Sequence, residues 1–339
     1  MQNICAPKPA PREQILAAIL GFWQSRALAV AAELELADLL AEGPLSVDGL
    51  AARSGTNPSS LFRLLRALES LGIFSQVSPL VFSNTRASEC LRKNVPNSLS
   101  AFVRTQLSAG GGVYEAWAGL SGSIRTGNQA FDQIHGHDFW EFCRRNPAVG
   151  EIFNEAMSEM RRPTSRAITS SYDWGRFPVI ADIGGGLGVQ LGKILDAFPS
   201  SRGILFDQPK VVKEAISHKR IECIGGDFFQ QVPTGADVYI LSWIIHDWND
   251  SDALTLLGKV RQAMKPDSRI AVLEEIIPET SQFTFGKWMD LLMLTVVGGR
   301  ERTETEFREL LSSAGFELEE VVATAATLNI LIAKPRDTA

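Results

Sequence analysis

Apolar positions along the chain change their spacing from helical to alternating and back. Between residues 15 and 40, Ile15, Ile19, Phe22, Trp23, Ala27, Val30, Leu34, Leu36, Leu39 and Leu40 recur at helical intervals. Short, sharply punctuated helices are predicted over 12–75. In "GPLSVDGLAARSG", Ser46 is an N-cap and Gly55 a C-cap. In "NPSSLFRLLRALESLGIF", Leu61, Leu64, Leu65, Leu68 and Leu71 form one stripe that Gly72 stops. "IFSQVSPLVFSNT" alternates around Ser78-Pro79, a hairpin signal. Helix, turn, helix and two-stranded wing make a winged-helix arrangement.

Residues 100–170 read as mostly helical and rich in large side chains, among them Phe131, Phe139, Trp140, Phe142, Phe153, Met157 and Met160. Asn146 and Pro147 suit an N-cap and first helical position. From 171 the pattern alternates strand and helix, the mark of a doubly wound α/β sheet. Strands are predicted at 179–183, 202–207, 221–224, 236–242 and 269–275, with helices near 188–197, 209–217, 250–264 and 304–314. "FELEEVV" and "NILIAKP" are too close for a parallel crossover, so the sheet should end in an antiparallel hairpin. Three segments are expected: a winged-helix domain at 12–100, a helical segment at 101–170 and an α/β domain at 171–339.

Composition narrows the function classes. The chain has 339 residues, 45% hydrophobic and 21% charged, with a net charge of -6. No basic run of five exists, and residues 41–93 carry six basic against four acidic side chains. This disfavours nucleic acid as a partner and leaves the winged helix as a packing or dimerisation module. Cys5, Cys90, Cys143 and Cys223 are widely spaced, neither a disulfide framework nor a zinc site, which fits a reducing compartment. The Pro-rich stretch 6–11 is read as a loose arm. The apolar run 15–23 is too short to span a bilayer and lacks a basic leader, so a helix of a soluble, cytoplasmic protein is expected.

Candidate chemistry gathers at predicted strand ends. "DIGGGLGVQLG" follows the first strand with a glycine turn, but G-x-G-x-x-G is not met: the sixth place holds Val189 or Leu191. Asp207 ends the second strand, 21 residues beyond Gly186, where a carboxylate can accept both ribose hydroxyls. Asp227, beside Phe228 and Phe229, ends the third and can receive an adenine amino group under an aromatic ring. "SWIIHDWND" then places His246 at the end of the fourth.

Together, "ADIGGGLG", "LFDQP", "GGDFF", "WIIHDWND", "EEIIP" and "GGRERTETEF" resemble the small-molecule O-methyltransferases that use S-adenosylmethionine. The resemblance runs in order over 180–335 and extends to the N-terminal domain. It implies a Rossmann-like methyltransferase sheet, a homodimer through the winged helix, and S-adenosylmethionine as cofactor, with no metal. It further implies that Gly184, with Asp182, Gly185 and Gly186, faces the methionine moiety, that Asp207 and Gln208 serve the ribose, and that Asp227 and Phe228 take the adenine. Trp248 would close the cofactor side. Ser242 stands where plant members carry a cofactor-holding Lys.

By the same resemblance His246 is the general base, flanked by Glu274 and Glu301. Chemistry supports this. A neutral imidazole can take a phenol's proton, and carboxylates beside the ring fix its tautomer and steady the imidazolium. Asp247 is expected to support the cofactor loop rather than the chemistry. The acceptor pocket is implied at Phe139, Cys143, Phe153, Met157, Trp243, Met289, Asp290, Met293 and Val296, whose mostly apolar walls suit a flat aromatic acceptor. Plant enzymes place Asn where Val296 stands, so a fused-ring or larger acceptor is favoured over a caffeate-like one. Carbon or nitrogen methylation, use of the cofactor without methyl transfer, and a cofactor-sensing winged-helix regulator are the alternatives.

Overall fold

A computed structural model describes residues 10–336. Cys5 and residues 6–9 of the Pro-rich stretch lie outside them, while Pro11 opens the first helix. Contacts divide the chain into two compact units, Met1–Tyr114 and Glu115–Ala339.

The first unit begins with a helix over Pro11–Glu33, started by Pro at its N-terminus and by Glu13, whose carboxylate accepts the Ala10 N–H. It departs from the expected short helices. Gln24, Ser25 and Arg26 interrupt the apolar run but do not break a helix, so the element reaches 23 residues. That makes it long and apolar enough to cross a membrane by length and composition. The run 15–23 is itself too short to span a bilayer, and it continues as a helix as its spacing predicts. The buried side of the helix is Ala29, Ala31 and Ala32, whereas Ile15, Leu16, Ile19, Leu20, Phe22 and Trp23 are exposed.

The helix–turn–helix and wing form as predicted. Ser46 accepts the Gly49 N–H to cap Val47–Ser54, and Gly55 ends that helix at φ 66°. Pro58–Glu69 buries Leu61, Leu65 and Leu68, while Leu71, beyond the helix end, is exposed. Strands β1 (Leu45–Ser46), β2 (Phe74–Ser78) and β3 (Val81–Asn84) pair antiparallel in the order β1-β3-β2.

The second unit is built on a seven-stranded sheet. Its strands are β4 (Val179–Ile183), β5 (Arg202–Asp207), β6 (Ile221–Gly225), β7 (Val238–Ser242), β8 (Arg269–Glu274), β9 (Phe316–Ala323) and β10 (Asn329–Pro335). The order is β6-β5-β4-β7-β8-β10-β9, parallel through β8, with β10 antiparallel to β8 and to β9. β4 and β7 are buried along their whole length, because helices cover both faces of a parallel sheet. The chain winds outward from β4 to β6 and returns to β7 beside β4. Such a switch point opens a crevice at the carboxyl ends of those two strands.

Two local expectations need correction. The helix predicted at 209–217 spans only Pro209–Val212, because the Ile216 N–H donates to the Leu187 carbonyl and draws the chain onto the glycine turn. Asn146 precedes the Pro147–Ser171 helix but does not cap it; its side-chain amide donates to the Phe142 carbonyl. Cys90, Cys143 and Cys223 are free thiols.

Candidate active site

At the end of β4 the chain turns through Gly184 (φ 69°) and Gly186 (φ 59°) before the Val189–Ala197 helix. A Cβ on Gly184 would lie 2.4 Å from Ile244 Cδ1, and Phe228 Cε1 is 3.6 Å from the same point. Glycine is therefore required by both backbone and space. Asp207 closes the turn: its Oδ2 accepts the Gly186 N–H at 2.8 Å and its Oδ1 the Gln208 N–H at 2.6 Å. Burial raises its pKa, and those two backbone donors oppose the rise. Asp182 is buried against Gly185, and burial pushes its pKa up to about 6 despite Arg161. Asp227 ends the β6 loop exposed, accepting the Phe229 N–H at 2.9 Å.

Arg161 was not anticipated. Phe153, Met157 and Arg161 lie four residues apart on the Pro147–Ser171 helix and so share one face. The guanidinium donates to the Gly185 carbonyl at 3.1 Å and the Ser242 carbonyl at 2.9 Å, tying the glycine turn to the end of β7. It is 8% exposed, a charge buried at the crevice. Its only sequence signal is its spacing from the aromatic stripe.

Beyond Ser242, Trp243 adopts φ 51°, a strained conformation for a bulky side chain, and the chain enters a tight turn over Ile245–Asp247. Glu274 holds this turn. Its Oε1 accepts the N–H groups of Ile244 (3.0 Å), Ile245 (2.9 Å) and His246 (3.4 Å). His246 Nδ1 lies 2.7 Å from Glu301 Oε1 and 3.7 Å from Glu274 Oε2, while Nε2 is 3.5 Å from Asp247 Oδ1. The two glutamates therefore differ: Glu301 contacts the ring directly, and Glu274 chiefly anchors backbone. Asp247 also stands beside the ring. Burial alone would lower the pKa of His246, but Glu274, Glu301 and Asp247 outweigh it and push it up to about 10. Burial pushes Asp247 up to about 6 and Glu274 up to about 7.

Glu301 reaches the ring because its segment is fastened to the turn. The Arg300 N–H donates to the His246 carbonyl at 2.9 Å. A Cβ on Gly299 would lie 2.0 Å from that carbonyl oxygen, so no other residue permits the approach. Arg302, 1% exposed, donates to the carbonyls of Ile245 and Trp248 and to Asp250.

Of the residues expected to line an acceptor pocket, Phe139 and Phe153 meet each other and Trp140 edge to face, and Trp140 stacks on Trp248 at 6.3 Å. Trp248 also meets Phe228 and Phe229 edge-on. Cys143 sits against Gly150, and burial pushes its thiol up to about 12. Met289, Asp290, Met293 and Val296 lie on the Phe285–Val296 helix. The Asp290 carboxylate also accepts the Glu301 N–H at 2.9 Å, which ties this helix to the segment beside the ring. Trp243 does not join this aromatic group; it packs against the sheet cluster that includes Ile168, Leu273 and Ile330.

Residues 117–317 match the family model of the O-methyltransferase domain, and residues 16–94 match the O-methyltransferase dimerisation domain. The chain belongs to the O-methyltransferase family. It is 38% identical over 328 residues to a phenazine O-methyltransferase of Lysobacter antibioticus, covering 95% of each chain. It is 36% identical to the mitomycin biosynthesis 6-O-methyltransferase of Streptomyces lavendulae, covering 93% of this chain and 91% of that one. Human N-acetylserotonin methyltransferase, solved in complex with SAM, superposes with a TM-score of 0.89 at 28% identity, covering 98% and 99% of the chains. A relative acting on nitrogen, the 8-amino-8-demethylriboflavin N,N-dimethyltransferase of Streptomyces davaonensis, is 39% identical over 300 residues, 85% of each chain.

Enzymes of this family use S-adenosylmethionine, and the residues present fit it. Both Asp182 oxygens, Arg161 Nε and the Trp248 indole N–H are buried with no hydrogen-bond partner among the described residues. Buried polar groups normally have partners, so these four atoms have bonding capacity left for polar groups of a ligand. Side chains at Gly184 and Gly186 would run into Ile244 and the Arg161 guanidinium, so glycine there lets the turn lie close to these groups.

Proposed function

We propose that this enzyme transfers a methyl group from S-adenosylmethionine to a hydroxyl of an aromatic small molecule, with His246 as general base. The observation that carries the reading is the 2.7 Å contact between His246 Nδ1 and Glu301 within the crevice where the glycine turn, Asp207 and Arg161 converge. Arg161 is suited to a carboxylate, and Asp182 to an ammonium group, of the cofactor's methionine end. Asp207 takes the ribose, Gln208 lies beside it, and Asp227 with Phe228 takes the adenine.

When bound, the cofactor supplies an electrophilic methyl group. The chain's own residues prepare the nucleophile. With its pKa at about 10 the ring is mostly protonated near neutral pH; in its neutral form Glu301 holds the proton on Nδ1 and the Nε2 lone pair can take the acceptor's proton. The imidazolium that results lies among Glu274, Glu301 and Asp247, the charges that raise its pKa. A phenol and this imidazolium then have pKa values near each other, so the proton moves with little cost. Phe139, Trp140, Cys143, Phe153, Met157, Met289, Met293 and Val296 supply apolar walls for a flat ring.

The exposed apolar side of the Pro11–Glu33 helix, within the matched dimerisation domain, supports a homodimer. A soluble enzyme of the cytoplasm acting on a secondary metabolite is the reading that accords with these features. Relatives of similar identity methylate nitrogen, so the decisive experiment offers both atoms. Phenols, quinols, fused aromatics and the matching anilines are incubated with methyl-labelled cofactor and analysed by mass spectrometry. Gain of one methyl on hydroxylated acceptors alone supports oxygen; gain on anilines alone overturns it.

A further inference from the structure

Arg302 is among the largest fully buried side chains of the protein. Its guanidinium makes a set of bonds whose geometry is centred on another residue. Nη1 donates to the Ile245 carbonyl at 3.2 Å and Nη2 to the Trp248 carbonyl at 3.0 Å. These two carbonyls bracket His246, one residue before it and two after. Nη1 also donates to the Arg300 carbonyl at 3.3 Å, and Nη2 and Nε reach Asp250 Oδ1 at 2.7 and 3.1 Å. The Arg302 backbone is fixed in turn, since its carbonyl accepts the Ile277 N–H at 3.0 Å.

Burying a guanidinium carries a heavy desolvation cost, and a well-packed apolar side chain of similar volume often serves stability equally well. What an apolar side chain cannot do is hold two carbonyls at a fixed separation. Only a planar fork with several donors does that, and a lysine's point charge does not. The turn needs such holding. It follows a strained Trp243, and Glu274 secures only its N–H groups. On the carbonyl side the turn's own bonds, from Asp247 N–H to Ile244 and Trp248 N–H to Ile245, are both 3.2 Å long, and Arg302 and the Arg300 N–H add to them.

We propose that Arg302 is a positioning residue that sets His246 against Glu301 by clamping the carbonyl side of the His246 turn, with Asp250 as its outer anchor. This rests on the reading of His246 as the base. Glu301 and Arg302 are adjacent, so one segment presents the carboxylate to the ring while the next side chain grips the turn that carries the ring. Displacement of either by an ångström separates Nδ1 from Oε1, and misplacement on that scale can cost on the order of 100-fold in rate.

The test compares Arg302→Lys with the wild type by four readouts: kcat at saturating cofactor and acceptor, cofactor affinity by calorimetry, the thermal midpoint, and the downfield proton resonance of the His246–Glu301 hydrogen bond, assigned by its loss in His246→Gln. The expected result is a fall in kcat of about 10- to 100-fold, cofactor affinity within about twofold of wild type, and a shifted or lost resonance. Added guanidinium should recover part of the rate in Arg302→Ala. An unmoved resonance with kcat within twofold of wild type would overturn the proposal. So would losses in kcat, affinity and thermal midpoint that run in parallel, the signature of a merely structural role. The resonance reports positioning whether or not His246 is the base, so the two readings fail separately. If Arg302→Lys does not fold, Asp250→Asn, at the exposed end of the clamp, should still shift the resonance and lower kcat severalfold; no change in either would overturn it.

Discussion

Glu301 Oε1 lies 2.7 Å from His246 Nδ1, while Glu274 gives one oxygen to three backbone N–H groups and holds the other 3.7 Å from the same nitrogen. Two acids that look equivalent in the sequence thus separate into a partner of the ring and an anchor of its turn. Glu301→Gln should lower kcat by about 100-fold with little change in thermal midpoint. Glu274→Ala strands three N–H groups and should cost roughly 1–3 kcal/mol of stability as well as activity. Denaturant titration beside steady-state kinetics separates the two; equal stability losses would refute the division.

The pKa of His246 gives stability a pH dependence of definite sign. Its folded value, about 10, lies above the ordinary 6.5. The stabilisation it contributes is therefore complete below about pH 6.5 and is lost as pH rises through about 10. Wild-type stability should fall across that window, and His246→Gln should flatten the curve there. Urea unfolding at stepped pH is the measurement.

Gly299 should tolerate no side chain. A Cβ at that position falls 2.0 Å from the His246 carbonyl oxygen and 2.4 Å from the Asp247 carbonyl carbon. Gly299→Ala must push the Glu301 segment from the ring, lowering kcat by about 100-fold or more. Cofactor affinity should stay within about threefold, because the glycine turn at Gly184–Gly186 belongs to another loop. Calorimetry and kinetics on one preparation test both halves.

Arg161 should matter on the cofactor side instead. Arg161→Met removes the buried charge and its bonds to Gly185 and Ser242, so cofactor affinity should fall about 10- to 100-fold, as expected for bonds to a charged group. Affinity unchanged by calorimetry would exclude Arg161 from the cofactor site.

Much of this was legible in the sequence because its signals are local. β4, β5 and β10 occupy the predicted ranges, since buried strands bounded by Gly, Pro and Asp announce their own ends. The glycine turn, Asp207 and His246 stand out because each sits at a strand end. Residues acting across the fold are hidden. Arg161 and Arg302 read as ordinary helix and loop cations, and burial alone distinguishes them. Asp290 sits on the expected acceptor helix, but its bond to the Glu301 backbone has no local signature. The helical spacing rightly runs on past Gln24, Ser25 and Arg26, but the break that Glu35 makes at φ 53°, before Leu36–Leu39, is hidden in it.

The general-base role of His246 is tested most directly by the pH dependence of kcat/KM for wild type, Glu301→Gln and His246→Gln on one phenolic acceptor. This quantity reports ionisations of the free enzyme and of the free acceptor, so the acceptor is chosen with a hydroxyl that titrates outside the window of His246. The account predicts a wild-type rate that rises with pH well above the ordinary imidazole range. That limb should move to lower pH in Glu301→Gln, where a raising charge is gone, and vanish in His246→Gln together with a loss of about 100-fold or more. A His246→Gln variant that keeps the wild-type rate and the same rising limb would contradict it.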